Sequence, residues 1–284
     1  MIYGFINPLA GSVPADAEAQ LAAALADIGH AEHRISAPDP DQLLSAIQDT
    51  EFETNDVAII WGGDGTIAGA LHILRERDVM ILPLPGGTMN VVHKTVHGEN
   101  VDWRECLSEA LRAKTIYDLP AGCIEDHLFF VAAIAGQMSK LVHSREALRD
   151  GEIIRAMRTL GDVQAFDLSR SLTISMTTVE GEKIKEKGVA ATLFIATADR
   201  RAVFEVGIID PQNSFDLLTT AAEAAMMGWR DAPHVKFFRA TDIEVRSDTG
   251  EAIPVTLDGE ARDLRSPARF NALDQGGRVL SARP

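Results

Sequence analysis

Asp56-Val57-Ala58-Ile59-Ile60-Trp61-Gly62-Gly63-Asp64-Gly65-Thr66 is the stretch that sets the reading of this chain. Val57 to Ile60 form a short apolar run of the kind that is buried in a parallel strand. From Ile67 to Arg77, the apolar residues Ile67, Ala70, Leu71 and Leu74 keep helical spacing. A strand, a glycine turn and a helix in succession present backbone N–H groups to a phosphate. Gly62, Gly63 and Gly65 let the main chain approach a ligand without Cβ clashes. Asp64 sits in the middle of the turn. An acid there repels phosphate unless it holds a metal, a sugar hydroxyl or a proton in transit. Nucleotide chemistry is therefore expected, and not merely a tight turn.

Outward from this unit the first half alternates strand and helix. Ile2 to Ile6 reads as a strand, closed by the turn Asn7-Pro8-Leu9-Ala10-Gly11-Ser12. A helix is expected over Ala15–Ile28, with Gly29 as its stop. A strand over Ala31–Ile35 and a helix over Asp39–Gln48 follow. Val79–Leu84 is a fourth strand, ending in Pro85-Gly86-Gly87-Thr88-Met89-Asn90, and a helix is expected near Trp103–Arg112. Strict alternation implies a doubly wound parallel sheet, whose ligands bind at the carboxyl ends of the strands. The glycine turns at Asn7–Ser12, Gly62–Thr66 and Gly86–Asn90 all fall at such ends. Their convergence is more specific than any single turn.

After about Asp118 the pattern changes. Runs rich in Val, Ile, Phe and Thr occur at His127–Ile134, Leu172–Val179, Val189–Thr197, Val203–Ile209, Val235–Phe238, Ile243–Arg246 and Ile253–Leu257. They read as an antiparallel β-sandwich. The expected domains are 1–118, with 269–284 returning to it as short strands, and 119–268. A helical insertion is expected near 138–168. Ile153, Met157, Leu160 and Val163 share one helical face there, with Lys140, Arg145 and Arg149 just upstream. It reads either as an amphipathic helix packed on the sandwich or as a basic patch for an anionic membrane surface.

Composition narrows the partners. The chain has 284 residues, 46% of them hydrophobic, and a net charge of −15. So acidic a chain is not expected to bind nucleic acid. Cys106 and Cys123 lack CxxC spacing and read as ordinary thiols of a reducing compartment. No apolar run approaches the ~18–20 residues that span a bilayer. The N-terminus reads directly as a strand, from which no signal peptide is expected. The histidines show no paired zinc spacing. No GxxxxGK[ST] sequence occurs, so phosphate charge must be met by backbone N–H groups, scattered cations and Mg²⁺.

Taken together, Asn7-Pro8-Leu9-Ala10-Gly11, Gly62-Gly63-Asp64-Gly65-Thr66, Pro83-Leu84-Pro85-Gly86-Gly87-Thr88-Met89-Asn90 and Leu257-Asp258-Gly259-Glu260 resemble the motifs of the diacylglycerol kinase/sphingosine kinase family of lipid kinases, in particular its soluble bacterial two-domain members. The resemblance implies an α/β nucleotide domain, a β-sandwich lipid-binding domain and an active site in the cleft. It implies that Asn7, Ser36, Gly62, Gly63, Asp64, Gly65, Thr66, Gly86, Gly87, Thr88 and Asn90 hold ATP. It also implies a catalytic base in the Asp258-Gly259-Glu260 turn, with Asp64 as rival base or metal ligand, and Mg²⁺ linked to Asp210 and Asp216. The acceptor would be a membrane lipid, met by a cytoplasmic protein peripheral at the inner membrane surface.

The chain departs from the family pattern in places. Val91 stands where the family has an acid after Asn90. Gly136-Gln137-Met138-Ser139 replaces a G-x-D-A sequence, and Thr197-Ala198-Asp199-Arg200-Arg201 replaces a glycine-rich stretch.

From the residues alone, Asp258-Gly259 is equally a plain hairpin turn, Asn7 a cap of the first helix, and Asp210 and Asp216 ordinary surface acids. Two other functions compete: a NAD kinase, which shares GGDGT but pairs it with an Asn-Glu dipeptide not found in this chain, and a regulatory protein that kept its ATP site and lost catalysis. The acceptor lipid and the oligomeric state stay open.

Overall fold

In the computed structural model, strands β1 (Ile2–Ile6), β2 (His33–Ser36), β3 (Val57–Gly62) and β4 (Met80–Pro85) run parallel in the order β2-β1-β3-β4. The structure describes residues 1–136, 138–139, 171–211, 216 and 234–283. They fall into two units: Met1–Pro120 with Asp274–Pro284, and Ala121–Leu273.

In the first unit, α1 (Ala17–Asp27), α2 (Pro40–Asp49) and α3 (Asp64–Leu74) each follow a strand, and α4 (Val91–His97) and α5 (Trp103–Ala113) follow β4. Every residue of β3 is buried. Ile59 and Trp61 share one core with Leu21 and Leu25 of α1 and Leu107 of α5. Ala58 and Ile60 alternate to the opposite face, where α2 and α3 pack together and against β1 and β3. Each such buried aliphatic side chain stabilises the fold by about 1.5–3 kcal/mol. The sheet is thus covered on both faces, and this explains why β3 is an unbroken apolar run. The chain leaves β1 toward β2 on one side and returns through β3 on the other. That reversal is the switch point at which such sheets bind ligands.

The second unit is an antiparallel β-sandwich. β5 (Thr115–Ile124) leads into it, followed by β6 (His127–Phe129), β7 (Ala132–Gly136), β8 (Leu172–Thr178), β9 (Lys183–Gly188), β10 (Ala190–Ala198), β11 (Arg201–Ile209), β12 (Val235–Ser247), β13 (Ile253–Leu257) and β14 (Glu260–Leu264). The order is β14-β13-β7-β10-β11-β12, and β8 and β9 continue from the second half of β12. Phe129, Phe204 and Phe270 are fully buried at the centre of its core. Phe129 stacks on Phe204 with centroids 6.0 Å apart and meets Phe270 edge-on at 6.3 Å. β15 (Ala268–Ser281) starts in this unit beside β12 and ends in the first, where Val279 pairs with Ile81.

Several sequence expectations are corrected. α4 was not expected, because Val91-Val92-His93 shows little helical signal. β5 and the lysine-rich β9 were also unread. Val235–Phe238 and Ile243–Arg246 are one strand, bent by an irregularity between Ala240 and Asp242. The two short strands expected near the C-terminus are one strand of 14 residues. His127–Ile134 is broken at Phe130 and Val131 into β6 and β7. The insertion expected near 138–168 lies outside the described residues, apart from the buried Met138 and Ser139. No described helix is long and apolar enough to cross a membrane.

Candidate active site

The three glycine turns of the first unit are fastened to one another at the switch point. Asn7 N donates to Trp61 O at 2.9 Å, and Gly86 N donates to Gly62 O at 2.9 Å. Ser12 N reaches Gly86 O at 2.9 Å, and its hydroxyl donates to Gly87 O at 3.0 Å. Asn7 Nδ2 donates to Thr66 Oγ1 at 2.9 Å, while Asn7 Oδ1 accepts from Leu9 N at 3.1 Å. Asn7 is therefore a cross-loop tie, and α1 takes Asp16 as its N-cap residue instead.

Asn90, with φ of 50°, closes the third turn on itself. Its Oδ1 accepts from Gly87 N at 2.7 Å, and its Nδ2 donates to Gly87 O at 2.8 Å. Ser36 ends β2 beside Phe5, half-buried, one strand outward from the switch point. Thr88 is exposed.

The glycines divide into two kinds. A Cβ on Gly86 would lie 2.7 Å from Gly62 Cα, and one on Gly87 would lie 2.9 Å from Gly63 Cα. A Cβ on Gly62 would strike the Thr66 side chain at 2.8 Å. Gly86 and Gly87 let two turns stack backbone on backbone, and Gly62 leaves room for the Thr66 side chain. Gly65 differs: a Cβ there would meet no atom within 4 Å. The sequence pattern alone gives all the glycines of this turn to the ligand. The packing separates them: space is open only beside Gly65, whereas Gly62 is packed against Thr66 and Gly63 faces Gly87.

Helix α3 begins at Asp64, with Gly63 as an N-cap that offers no side chain. The first helical bond runs from Ile67 N to Gly63 O at 3.1 Å. The amides of Asp64, Gly65 and Thr66 precede it and point out of the helix end, where anions are favoured. Asp64 Oδ1 accepts from Val92 N at 2.9 Å, so this carboxylate also holds the start of α4. Helix α4 in turn walls an open depression of about 440 Å³ formed by Thr88, Met89, Val91, Lys94, Thr95 and Glu99.

Below the turns lies a buried group that the sequence reading missed. His93 Nδ1 and His97 Nε2 both bond Pro83 O, at 3.2 and 3.1 Å. His97 Nδ1 accepts from Ala282 N at 3.1 Å, which places its proton on Nε2. Burial, then the neighbouring His93, push His97 down to about 3. Burial also lowers His93 and pushes the Cys106 thiol up to about 12. Both rings are thus neutral supports for the proline-bearing strand. Their spacing of four residues on a helix was the available signal.

In the second unit, Leu257 and Glu260 pair across a two-residue hairpin turn in which Asp258 has φ of 47° and Gly259 φ of 99°. The Asp258 carboxylate accepts from the amides of Phe130, Val131 and Ala132 at 2.7, 2.8 and 3.0 Å. Glu260 is exposed, with Arg262 Nη2 3.5 Å from one carboxylate oxygen. Asp210 is exposed just past β11, its amide donating to His234 O at 3.1 Å. Asp216 is half-buried. Among the described residues no three His, Cys, Asp or Glu side chains form a metal-holding group. The chain's residues fit a nucleotide at the first-unit turns. They fit a Mg²⁺ only of the kind held by one or two carboxylates together with phosphate oxygens, with Asp64 as the carboxylate.

Residues 2–118 match the profile of the diacylglycerol kinase catalytic domain. No relative among the curated proteins matches the chain. A solved diacylglycerol kinase from Bacillus anthracis str. Sterne is 14% identical, with a TM-score of 0.66 over 99% of this chain and 96% of that one. Two further structures from the same strain, described as proposed diacylglycerol kinases, give 15% and 16% identity with TM-scores of 0.65 and 0.67. They cover 99% of this chain each, and 94% and 96% of their own. These likenesses establish the two-part fold. The catalytic-domain match falls on the first unit, the one that carries the three glycine turns.

Proposed function

We propose that this protein uses ATP to phosphorylate the hydroxyl of a membrane lipid, either a diacylglycerol, a ceramide or a sphingoid base. One observation carries the donor half. The mutual fastening of three glycine turns at the switch point leaves the leading amides of α3 and the open side of Gly65 unobstructed. Phosphoryl transfer is mostly positioning and electrostatics, and pre-set amides supply both. In this reading the turn residues, with Asn7, Thr88 and Ser36 at their edges, line the nucleotide. Asp64 is the candidate to hold Mg²⁺, whose charge would offset that of the phosphates, and Asp210 and Asp216 remain candidates for metal-linked roles. The Asp258-Gly259-Glu260 turn supplies the base. As the acceptor oxygen bonds to the γ-phosphorus, the bond to the β,γ-bridging oxygen breaks. ADP departs with that oxygen, and the acceptor proton passes to the base. The protein would take its lipid as a peripheral visitor to the cytoplasmic membrane surface.

Incubation of the purified protein with labelled ATP, Mg²⁺ and a panel of micellar lipids tests the proposal. One lipid class should be labelled. Labelled NAD in place of lipid would replace this reading with a NAD kinase. ATP binding without any phosphorylated acceptor would favour a regulatory protein.

A further inference from the structure

We propose that Asp258 is a positioning residue: its carboxylate clamps the bend between β6 and β7 to the β13–β14 turn and so sets Glu260, which takes the proton. The proposal deepens the lipid-kinase reading and rests on it for its kinetic part.

The geometry begins with a break in the ladder. Phe130 and Val131 interrupt what the sequence presents as one strand, and their amides leave the strand pairing. With Ala132 they form three successive N–H groups that converge on one side chain. Asp258 Oδ2 takes Phe130 N, and Oδ1 takes Val131 N and Ala132 N. Such runs of amides are built to hold an anion. The Asp258 amide donates back to Ala132 O at 2.9 Å, extending the pairing of Leu257 with Ala133 by one more bond. A carboxylate has about four acceptor positions, and here at least three are taken. A base that must receive a proton from substrate is poorly served by oxygens already occupied by donors. Glu260, two residues on and opposite Leu257, has an exposed carboxylate. Its place relative to β7 is set by the turn that Asp258 fixes.

The turn itself does not require an acid. Both central residues have positive φ, and Asn-Gly serves such turns at least as well as Asp-Gly. Asp258→Asn is therefore neutral if Asp258 is only a turn residue. For a clamp it is damaging, because one of its two acceptor atoms becomes a donor facing an N–H.

The test uses amide hydrogen exchange of Phe130, Val131 and Ala132 in the full chain, together with the pH profile of kcat on the lipid identified by the panel. Glu260→Gln should leave the three amides protected and lower turnover by about a hundredfold or more at every pH. Asp258→Asn should speed exchange of the three amides by about tenfold or more and lower turnover less. It should keep the acid limb of the wild-type profile, since Glu260 remains. Loss of that limb in Asp258→Asn with exchange unchanged would make Asp258 the base and overturn the proposal. Wild-type exchange and turnover in Asp258→Asn would overturn it too. If that variant does not fold, the three amide shifts are followed in the wild-type protein across the acid limb. Steady shifts support the clamp, and shifts that move in step with kcat overturn it. If no lipid is labelled at all, the kinase reading fails while the exchange measurement still decides the clamp.

Discussion

Asp64-Gly65 and Asp258-Gly259 are the same dipeptide used in two ways. The first opens helix α3, and the second closes a hairpin with both residues at positive φ. The residues after each pair decide between the two. Ile67, Ala70, Leu71 and Leu74 continue at helical spacing after the first, whereas alternating residues pair back onto β13 after the second. Yet the carboxylates share a habit. Each reaches out of its own turn to hold amides of a different segment, one amide for Asp64 and three for Asp258. An acid in a glycine turn is therefore not by that fact a catalyst. Its amide partners have to be counted before a proton or a metal is assigned to it.

The sharpest way to break the comparison is at the glycines. Gly86→Ala places a Cβ 2.6 Å from Val13 Cγ2 and 2.7 Å from Gly62 Cα, so the stacked turns must part. A loss of about 1–3 kcal/mol is expected, together with loss of ATP binding. Gly65→Ala meets no atom within 4 Å. It lies in the first turn of α3, where alanine is the better residue by up to about 1 kcal/mol. Tm should hold or rise while ATP affinity falls. Thermal unfolding and ATP titration of the two variants check this. Unchanged ATP affinity in Gly65→Ala would remove that face of the turn from the nucleotide site.

The two aspartates come next. Asp258→Ala strands three amides, and Phe130 is buried, so a loss of about 2–3 kcal/mol is expected in urea unfolding. Asp64→Ala strands one amide at a helix start, and about 1 kcal/mol should be lost. Equal losses would mean that the amide count does not set the energetics of these turns.

A third prediction concerns the histidines beneath the nucleotide turns. An unfolded histidine titrates near 6.5, whereas burial holds His97 at about 3. Between those values the unfolded chain binds a proton that the folded chain refuses, so stability falls as pH falls. The slope from this group is about 1.4 kcal/mol per pH unit. His93, lowered in the same direction, adds to it. Asp248, held down to about 2 by hydrogen bonds from Thr173, Ser171 and Lys187, loses its own contribution only below its ordinary value of 3.8. Urea midpoints taken from pH 7 to pH 4.5 should therefore report the histidines, and His97→Gln should flatten the dependence.

How much of this was legible in the sequence depends on the physics of each signal. The alternation of the first unit could be read because buried strands are continuous apolar runs and their helices carry caps and stripes. Helix α4 could not, because its residues, Lys94 apart, are β-branched or histidine and its start is held from a distance by Asp64. β9 escaped because Lys183, Lys185 and Lys187 alternate along an edge strand, where charge rather than apolarity marks the position. β15 carries Gly276-Gly277 in its interior, and glycines weaken the strand pattern there, so its two halves look like separate short strands. The break after Phe129 depends on Asp258, more than a hundred residues away in the chain. In the site, the turns themselves were visible as glycine patterns. The ties among them were not, since a hydrogen bond between two loops leaves no periodicity.

The smallest expected effect separates the two uses of Asn7. Asn7→Ala removes one side-chain bond to Thr66 Oγ1 and one from Leu9 N, both at a partly exposed edge, so about 1 kcal/mol should be lost. Asn7→Asp is more telling. Its carboxylate still accepts from Leu9 N, and the Thr66 hydroxyl, which can rotate, can donate to it in reverse. The tie survives and Tm should hold within about 1–2 °C. A negative charge has nonetheless been placed beside the leading amides of α3, where a phosphate would sit, and like charges repel there. ATP affinity should fall in Asn7→Asp more than in Asn7→Ala, although the aspartate variant is the more stable of the two. The reverse order would make Asn7 a purely structural tie and would move the phosphates away from this edge of the turns.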